Sequence, residues 1–253
     1  SRAAANIARI SRLSTEESHS TLERSERASL ESAVSFLALS IITVVAAYVI
    51  GSLPTGFLVA KAKGIDIRTV GSGNIGATNA LRTVGKPAGV LVLLVDVAKG
   101  WFAVWATTTW VLDGFAGAAS TANQREIITL MAGLWVIVGH NYTCWLGFKG
   151  GKGIATTAGV LLALAPGVLG IVLGVWMLGF AATRYVSLAS ISAAVALPLA
   201  AWLRTHRPWL TLAATAMSAL AIFKHKPNIQ RLRNGTEHRF GAPKPPQPDR
   251  PAP

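Results

Sequence analysis

The chain has 253 residues, of which 51% are hydrophobic and 14% are charged, and its formal net charge is +13. With a mean hydropathy of +0.46, it is too apolar for an ordinary soluble domain of this length, so most of it is expected to face lipid. The positive charge lies in loops and tails around apolar segments and forms no basic stripe interleaved with aromatic residues, which argues against a nucleic-acid partner.

Polar segments precede and follow the apolar part of the sequence. Residues 1–33 are rich in Ser, Arg and Glu, and we expect them to form a solvated or disordered extension. They are too polar for a signal peptide, and the apolar stretch after them is too long for a cleaved one. The proline-dense residues 241–253 predict a disordered tail. Residues 34–240 are therefore predicted to form the membrane-embedded domain.

Seven apolar stretches lie between these ends, judged against the ~20 residues that a helix needs to cross a bilayer. The fourth is too short to span alone, so it either crosses a thinned region with little tilt or forms a re-entrant element inside the bundle. Pro166 ends it and begins the next helix. The sequence thus predicts an all-α, polytopic membrane bundle of about seven transmembrane helices. The stretches are 34–59, 88–112, 127–147, 154–165, 167–183, 187–203 and 208–223.

Seven crossings place four polar segments on one face of the membrane, namely 60–87, 148–153, 184–187 and 224–253. This face carries most of the lysine and arginine, whereas the helix-connecting loops of the opposite face carry only three arginines. The positive-inside rule therefore assigns the basic face to the cytoplasm and the N terminus to the outside. Five arginines in residues 1–33 favour the opposite placement of that end, so its sidedness stays open.

The segment after the first apolar stretch is rich in glycine, hydroxyl and amide groups. Glycines allow backbone N–H groups to turn toward a bound oxyanion, while Ser, Thr and Asn side chains add neutral donors. Arg82, a little further on, adds a planar charge suited to phosphate. The combination predicts a site for a phosphorylated substrate at a membrane surface. The segment reads Gly71-Ser72-Gly73-Asn74-Ile75-Gly76-Ala77-Thr78-Asn79.

Two of the apolar stretches contain ionisable residues. Asp96 and Lys99 are three residues apart in the second stretch, where they can pair and so reduce the cost of burial. We favour this structural role for them over direct chemistry. His140, near the basic face in the third stretch, is expected to point into the bundle, and the sequence leaves open whether it contacts a substrate.

A second glycine-rich segment, residues 148–157, leads into the fourth stretch. Its glycine N–H groups, Lys149, Lys152 and the positive end of a helix dipole converge where an anion could bind. It is not a Walker A loop, because Leu146 and Gly153 stand where that pattern requires glycine and a hydroxyl residue. The alternative interpretation is a basic glycine turn that only ends a span.

The segment 184–190 offers hydroxyl groups at a helix junction on the same face. Ser187 could be an ordinary N-cap, and Ser190 could be a small residue that permits close helix packing. Arg184 could simply anchor the helix at the membrane interface. By itself this segment predicts little.

Residues 225–237, directly after the last stretch, mix donor, acceptor and titratable groups. A basic stop-transfer segment would explain the lysines and arginines but not Asn228 or Glu237. His225 could act as a general base or hydrogen-bond a phosphate, because its unperturbed pKa lies near neutrality. An ordinary interfacial histidine is an equal alternative.

The sequence predicts no metal and no other cofactor. Its one cysteine, Cys144, excludes an intrachain disulfide and a cysteine-cluster site. No carboxylate cluster or His/Cys spacing matches a common ligand set. The redox compartment is left undetermined.

Taken in order, five motifs resemble those of the acyl-phosphate:glycerol-3-phosphate acyltransferases (PlsY). The resemblance covers about residues 36–240, and the length and order of the motifs argue against chance similarity. The first 33 residues and the proline-rich tail lie outside what this family leads us to expect. The motifs are Gly51-Ser52-Leu53-Pro54, Gly71 to Asn79 with Arg82, Phe148 to Thr156, Arg184 to Ser190, and Asn228 to Glu237.

The resemblance implies transfer of a fatty acyl group from acyl phosphate to the 1-hydroxyl of glycerol 3-phosphate. The products would be lysophosphatidic acid and phosphate, made for phospholipid biosynthesis at the cytoplasmic face of a bacterial inner membrane. Membrane lipids would surround the enzyme, and an acyl-phosphate-forming enzyme could supply the donor. By the same resemblance, the catalytic residues would be Ser72, Arg82, His225 and Asn228. The substrate-binding residues would be Gly73, Asn74, Thr78, Asn79, Lys149, Gly150, Gly151, Lys152, Gly153 and Ser190, with Glu237 as structural support.

Acyl phosphate is already activated, so the enzyme needs little beyond positioning the hydroxyl and stabilising negative charge on the tetrahedral centre and the departing phosphate. We expect direct attack, with either His225 or a substrate phosphate oxygen as the base. None of the five histidines has an aspartate four intervening residues later, so the sequence supplies no His–Asp pair. Acylation of Ser72 is the less favoured alternative, because no histidine or carboxylate is adjacent to activate it.

A transporter of an anionic phosphorylated solute is the alternative from another class. Small-residue-rich spans and the intramembrane Asp96 and Lys99 would suit it. Against it, the polar motifs gather on one face, and no two related halves are visible that would place a site at the midplane. A non-enzymatic lipid-binding or scaffold protein would leave the four polar segments unexplained.

Overall fold

The computed structural model describes residues 2–116 and 121–242, and within these ranges the protein is helical and contains no β-strand. This confirms the predicted all-α class. The helices are α1 (Arg2–Ser52), α2 (Thr55–Lys61), α3 (Ala77–Thr83), α4 (Lys86–Ala106, continued by a π-helical segment, Thr107–Ala116), α5 (Ala122–Asn141), α6 (Ile154–Leu164), α7 (Pro166–Thr183), α8 (Val186–Thr205), α9 (Pro208–Lys224) and α10 (Lys226–Arg233).

The structure describes the predicted N-terminal extension but little of the predicted C-terminal tail. Residues 2–33, for which we predicted a solvated or disordered extension, belong to the continuous helix α1, and residues 21–33 are largely exposed. The local sequence supports a helix because it is rich in Ala, Leu, Glu and Arg and places Glu23 four residues before Arg27. Most of the predicted C-terminal tail, residues 243–253, lies outside the described residues.

The helices occupy the predicted apolar stretches, with one division that we did not predict. The first stretch is split at Pro54 into α1 and the short α2, because proline lacks the N–H that a continuing helix would need. The predicted break at Pro166 is confirmed, since α6 ends at Leu164 and α7 begins at Pro166.

Five of the described helical segments are long and apolar enough to cross a membrane, which supports an integral membrane protein. The helices α6, with 11 residues, and α9, with 17 residues, are shorter. A count of seven crossings therefore stays a prediction.

Close backbone contacts hold the bundle together at the end where the polar segments lie. Helix α1 packs along α5, α4 along α6, and α8 against both α7 and α9. At Gly139 of α5, an added Cβ would lie 2.2 Å from the Tyr48 carbonyl oxygen of α1. Any side chain at Gly139 would push α1 and α5 apart, so glycine allows the two backbones to approach this closely.

Two apolar clusters position the polar segments. The larger joins α4, α5, α6, α7, α8 and α9 around buried residues such as Val136, Val160 and Met217. The smaller cluster packs Ile67 and Ile75, which belong to the loop that joins α2 to α3, against Val92 of α4. This loop is therefore anchored on the bundle by its own isoleucines.

Candidate active site

The four polar segments predicted to share one face meet at one end of the bundle. Asn74 Nδ2 lies 3.5 Å from the Gly150 carbonyl oxygen, which joins the first segment to the second. Lys152 Nζ donates to Asn228 Oδ1 at 2.6 Å, which joins the second to the fourth. The third and fourth are joined by Ser187 Oγ, which donates to Glu237 Oε1 at 2.8 Å.

Between these segments lies a polar cavity of about 330 Å³. Four of the predicted site residues do not line it: Lys149 is exposed, and Gly73, Gly150 and Gly151 belong to the surrounding loop backbone. Lys149 therefore does not converge with Lys152 as we expected. The predicted residues that do line the cavity are Ser72, Asn74, Thr78, Asn79, Arg82, Lys152, Gly153, Ser190, His225, Asn228 and Glu237.

Asn79 holds the first segment in shape. Its Oδ1 accepts a hydrogen bond from the Ser72 N–H at 2.9 Å, and its Nδ2 donates to the carbonyl oxygens of Val70 at 3.1 Å and Asn74 at 2.9 Å. The side chain is buried, and its amide is committed to the loop backbone. Its main contribution is thus to place Ser72 and Asn74 on the cavity wall.

Glu237 organises the opposite wall through three hydrogen bonds. Its Oε1 accepts from Ser187 Oγ and from Asn228 Nδ2, each at 2.8 Å, and its Oε2 accepts from Arg231 Nε at 2.7 Å. Burial alone would raise the pKa of Glu237, but these bonds together lower it below its ordinary value. The carboxylate therefore stays charged and orients the Asn228 amide.

The role of Ser187 differs from the N-cap interpretation. Helix α8 begins at Val186 with Tyr185 as its N-cap residue, and no side chain caps it. The Ser187 hydroxyl is instead used by Glu237. The sequence could not reveal this contact, because the two residues are 50 positions apart.

Lys152 presents its ammonium to the cavity from the loop before α6. Burial lowers its pKa from 10.5 to about 8, with further lowering by Arg231 and Arg82 that Glu237 partly offsets. The loop is shaped by Gly153, whose φ of +82° lies in the region that favours glycine. Helix α6 starts immediately afterwards, so its free N-terminal N–H groups lie beside Lys152.

His225 is buried, and its tautomer follows from a backbone contact. Its Nδ1 lies 2.7 Å from the Ala221 carbonyl oxygen, which can only accept, so Nδ1 carries the proton and Nε2 has the lone pair. Burial, together with the nearby Lys152 charge, lowers the pKa of His225 to about 4. The ring is therefore neutral near pH 7 and can accept a proton at Nε2.

Arg82 of α3 lines the cavity beside Ser72 and Thr78. Its Nε is buried and has no hydrogen-bond partner among the described residues. Burial lowers the pKa of Arg82, although a guanidinium remains charged at any ordinary pH. The unused donor is suited to an anion in the cavity.

The predicted pairing of Asp96 with Lys99 is confirmed, at 2.8 Å between Oδ1 and Nζ. The pair extends further than the sequence indicated, because Lys99 Nζ also lies 2.9 Å from His140 Nδ1. Asp96 and His140 both line the cavity. Their position within apolar stretches already marked both residues in the sequence, whereas their link through Lys99 was not predicted.

An apolar groove of about 80 Å³ lies next to the polar cavity, between α6, α7, α8 and α9. Trp176 and Ser190 line both spaces. The Trp176 Nε1 donates to Ser190 Oγ at 3.1 Å, and Ser190 Oγ donates to the Val186 carbonyl oxygen at 2.8 Å. Ser190 thus fixes the indole at the boundary, a role for Trp176 that we did not predict.

Comparisons with known proteins agree with this architecture. The family model described as Glycerol-3-phosphate acyltransferase matches residues 41–235. The enzyme of that name from Geotalea daltonii is 42% identical over 200 residues, which cover 79% of this chain and 97% of the relative. That from Geobacter sulfurreducens is 45% identical over 200 residues, which cover 78% and 95%.

Two solved structures of PlsY (YgiH), an integral membrane glycerol 3-phosphate acyltransferase, are also similar. The glycerol 3-phosphate form is 39% identical with a TM-score of 0.71, and the match covers 80% of this chain and 96% of that one. The lysophosphatidic acid form is 38% identical with a TM-score of 0.69, covering 80% and 95%. On the family match and on relatives that it covers almost completely, this chain belongs to the glycerol-3-phosphate acyltransferases and is a membrane-bound acyltransferase.

Proposed function

We propose that this acyltransferase takes its acyl group from acyl phosphate, transfers it to the 1-hydroxyl of glycerol 3-phosphate, and releases lysophosphatidic acid and phosphate. The observation that carries the proposal is a cavity that presents Arg82 and Lys152 and lies next to an apolar groove, with Trp176 and Ser190 lining both spaces. Such a site suits two phosphorylated substrates, one of which carries a fatty chain. The solved relatives with glycerol 3-phosphate and lysophosphatidic acid support it.

The two phosphate groups take different parts of the cavity. The glycerol 3-phosphate anion binds at Lys152 and the N-terminal N–H groups of α6, where an ammonium and a helix dipole act together. The acyl-phosphate anion binds at Arg82 and the 71–79 loop, whose free guanidinium donor and backbone suit a departing phosphate. The acyl chain lies in the groove between α6, α7, α8 and α9.

The reaction is a direct transfer. His225 Nε2 removes the proton from the 1-hydroxyl as its oxygen attacks the acyl carbonyl carbon, and a tetrahedral centre forms. Its collapse breaks the bond to the phosphate oxygen, which leaves with the electron pair, and the proton passes from His225 to phosphate. Ser72 and Arg82 donate to the negative charge that develops.

A covalent route through Ser72 has less support. The Ser72 hydroxyl has no histidine or carboxylate bonded to it in the described part of the chain, so nothing there activates it as a nucleophile. Mass spectrometry after incubation with acyl phosphate alone distinguishes the routes. An acylated Ser72 peptide would overturn direct transfer.

The cavity end of the protein faces the cytoplasm of a bacterial inner membrane in this proposal. The basic segments that surround the cavity support this placement through the positive-inside rule. Membership of an acyltransferase family removes the support for the transporter alternative. The location of the polar cavity at one end of the bundle is also unlike a carrier site at the midplane.

Phosphate release by the purified, detergent-solubilised chain tests the proposal, with acyl phosphate in the presence and absence of glycerol 3-phosphate and with acyl-CoA as a parallel donor. We expect release that depends on glycerol 3-phosphate and is matched by lysophosphatidic acid. Lys152→Met serves as the impaired variant and Lys226→Met, at an exposed position, as its matched control. Product formed only from acyl-CoA would support the acyltransferase activity but refute acyl phosphate as the donor.

A further inference from the structure

We infer that His140 is a second substrate-contacting histidine, which donates a hydrogen bond from Nε2–H to a phosphate oxygen bound at the loop containing Lys152. Lys99 fixes the tautomer that makes this possible. The inference rests on the proposed function in one respect, namely that this loop binds the phosphate of glycerol 3-phosphate. The state of the ring itself follows from contacts within the chain.

The tautomer is set by the Lys99 ammonium. Its Nζ lies 2.8 Å from Asp96 Oδ1, 3.1 Å from the Leu53 carbonyl oxygen and 2.9 Å from His140 Nδ1. The Asp96 contact is an ion pair, since Asp96 Oδ1 has no hydrogen bond among the described residues. An ammonium has no lone pair, so His140 Nδ1 must accept from Lys99. Nδ1 therefore carries the lone pair, and the proton of the neutral ring lies on Nε2.

The cluster is almost fully buried. The side chains of Lys99 and Asp96 are 4% and 3% exposed, and that of His140 is 5% exposed. The contacts also join three parts of the bundle, because Leu53 directly follows α1, Lys99 lies on α4 and His140 lies on α5. The ring thus has little freedom to turn or to exchange tautomers.

The Nε2 edge of the His140 ring lies against the backbone of the loop that carries Lys152, and the residue lines the cavity. A Cβ added at Gly151 would lie 2.0 Å from His140 Nε2, so this edge of the ring lies against the loop that carries Lys152. The Gly151 N–H also donates to the His140 carbonyl oxygen at 3.0 Å. His140 lines the cavity, and none of the described residues accepts a hydrogen bond from its Nε2.

The two histidines of the cavity therefore have opposite tautomers. His225 donates from Nδ1 to Ala221 and presents a lone pair at Nε2, whereas His140 accepts at Nδ1 from Lys99 and presents a proton at Nε2. His225 is suited to accept a proton, and His140 is suited to bind an oxyanion. A neutral donor of this kind binds an anion without becoming a competing base.

Nitrogen NMR of the chain, labelled with ¹⁵N-histidine, tests the tautomers without any activity measurement. Spectra of His140→Gln and His225→Gln assign the two rings. We expect an Nε2–H ring for His140 and an Nδ1–H ring for His225. In Lys99→Met, the His140 signal should change to a mixture of tautomers while that of His225 stays. An Nδ1–H ring at His140 in the unchanged chain would overturn the inference.

Substrate contact is tested in the same spectra. Glycerol 3-phosphate should shift the His140 Nε2 resonance in proportion to its binding measured by calorimetry, and a non-hydrolysable acyl-phosphate analogue should not. A shift caused only by the analogue, or saturating binding without a shift, would refute the contact. No heat of glycerol 3-phosphate binding to the unchanged chain would instead refute the proposed phosphate site, and with it the contact.

Kinetics separate substrate contact from a structural role. His140→Phe should raise KM for glycerol 3-phosphate about tenfold, the size expected for a lost hydrogen bond to a charged group. His140→Gln, which can place an amide N–H near the former Nε2, should recover part of this loss. Equal damage in both variants with loss of thermal stability, or an effect on KM for the acyl donor alone, would contradict substrate contact.

Discussion

Lys152 and Asn228 are joined across the cavity by a 2.6 Å hydrogen bond from the ammonium to the amide oxygen. The other end of the Asn228 amide donates to Glu237, whose carboxylate also accepts from Ser187 and Arg231. The position of the cation therefore depends on a carboxylate held by the third and fourth polar segments. This chain of contacts links the loop before α6 to α10.

The two lysines of the glycine-rich loop should behave differently. Lys152→Met is expected to lower kcat/KM for glycerol 3-phosphate roughly a hundredfold, because a charged hydrogen-bond donor to phosphate is lost. Lys149→Met should change it by less than about twofold, because Lys149 is exposed and does not line the cavity. Steady-state kinetics of both purified variants provide the measurement. Equal losses would contradict the placement of Lys149.

The pH dependence of kcat/KM for glycerol 3-phosphate should show the titration of Lys152. Burial lowers its pKa to about 8, so the charged form that binds phosphate is present below pH 8 and is lost above it. We expect kcat/KM for glycerol 3-phosphate to fall above about pH 8, and Lys152→Arg to move this fall to higher pH, since arginine stays charged. A profile that is flat to pH 10 in the unchanged chain would rule out control by Lys152.

His225 as the base makes a prediction about turnover. His225→Gln should lower kcat by roughly a hundredfold or more, the usual range for loss of a general base, with the Kd for glycerol 3-phosphate nearly unchanged. Because its pKa is lowered to about 4, the base is neutral above pH 4, so protonation of His225 should lower kcat only below about that pH. Single-turnover rates and calorimetry provide the test. Near-normal turnover would identify a substrate phosphate oxygen as the base.

Glu237 should be a positioning residue. Glu237→Gln replaces an oxygen acceptor with an NH₂ group facing donors, which should cost about 1–3 kcal/mol of unfolding free energy and weaken substrate capture through Lys152. Since bonding in the folded state lowers the pKa of Glu237, its stabilising effect is present above the unfolded-state pKa and is lost as pH falls. Thermal unfolding with and without substrate measures both effects. Arg233→Gln, at an exposed position of α10, is the control and should leave both unchanged.

Trp176 and Ser190 should affect the acyl donor. Trp176→Phe removes the hydrogen bond to Ser190 but keeps an aromatic ring, and we expect only a few-fold increase in KM for acyl phosphate. Trp176→Ala also opens the boundary between cavity and groove and should have a larger effect. KM for glycerol 3-phosphate should stay the same in both variants. A change in KM for glycerol 3-phosphate alone would contradict the placement of the acyl chain in the groove.

Much of the architecture follows from local sequence. The length and polarity of apolar stretches predict membrane helices because each helix satisfies its own backbone hydrogen bonds and needs only a fixed length to cross lipid. The break at Pro166 follows from the chemistry of one residue. The alternation of crossings then predicts that the four polar segments share a face, and the contacts between Asn74 and Gly150 and between Lys152 and Asn228 agree with it.

Only the tertiary structure determines which of those polar groups meet. The sequence offers Lys149 and Lys152 as equals, but the turn through Gly151 and Gly153 leaves one in solvent and the other in the cavity. Likewise, Asp96 and Lys99 could be paired from their spacing, whereas their link to His140 requires α4 to pack beside α5. Contacts between distant segments depend on helix packing and side-chain direction, and these physical quantities are set by the whole bundle.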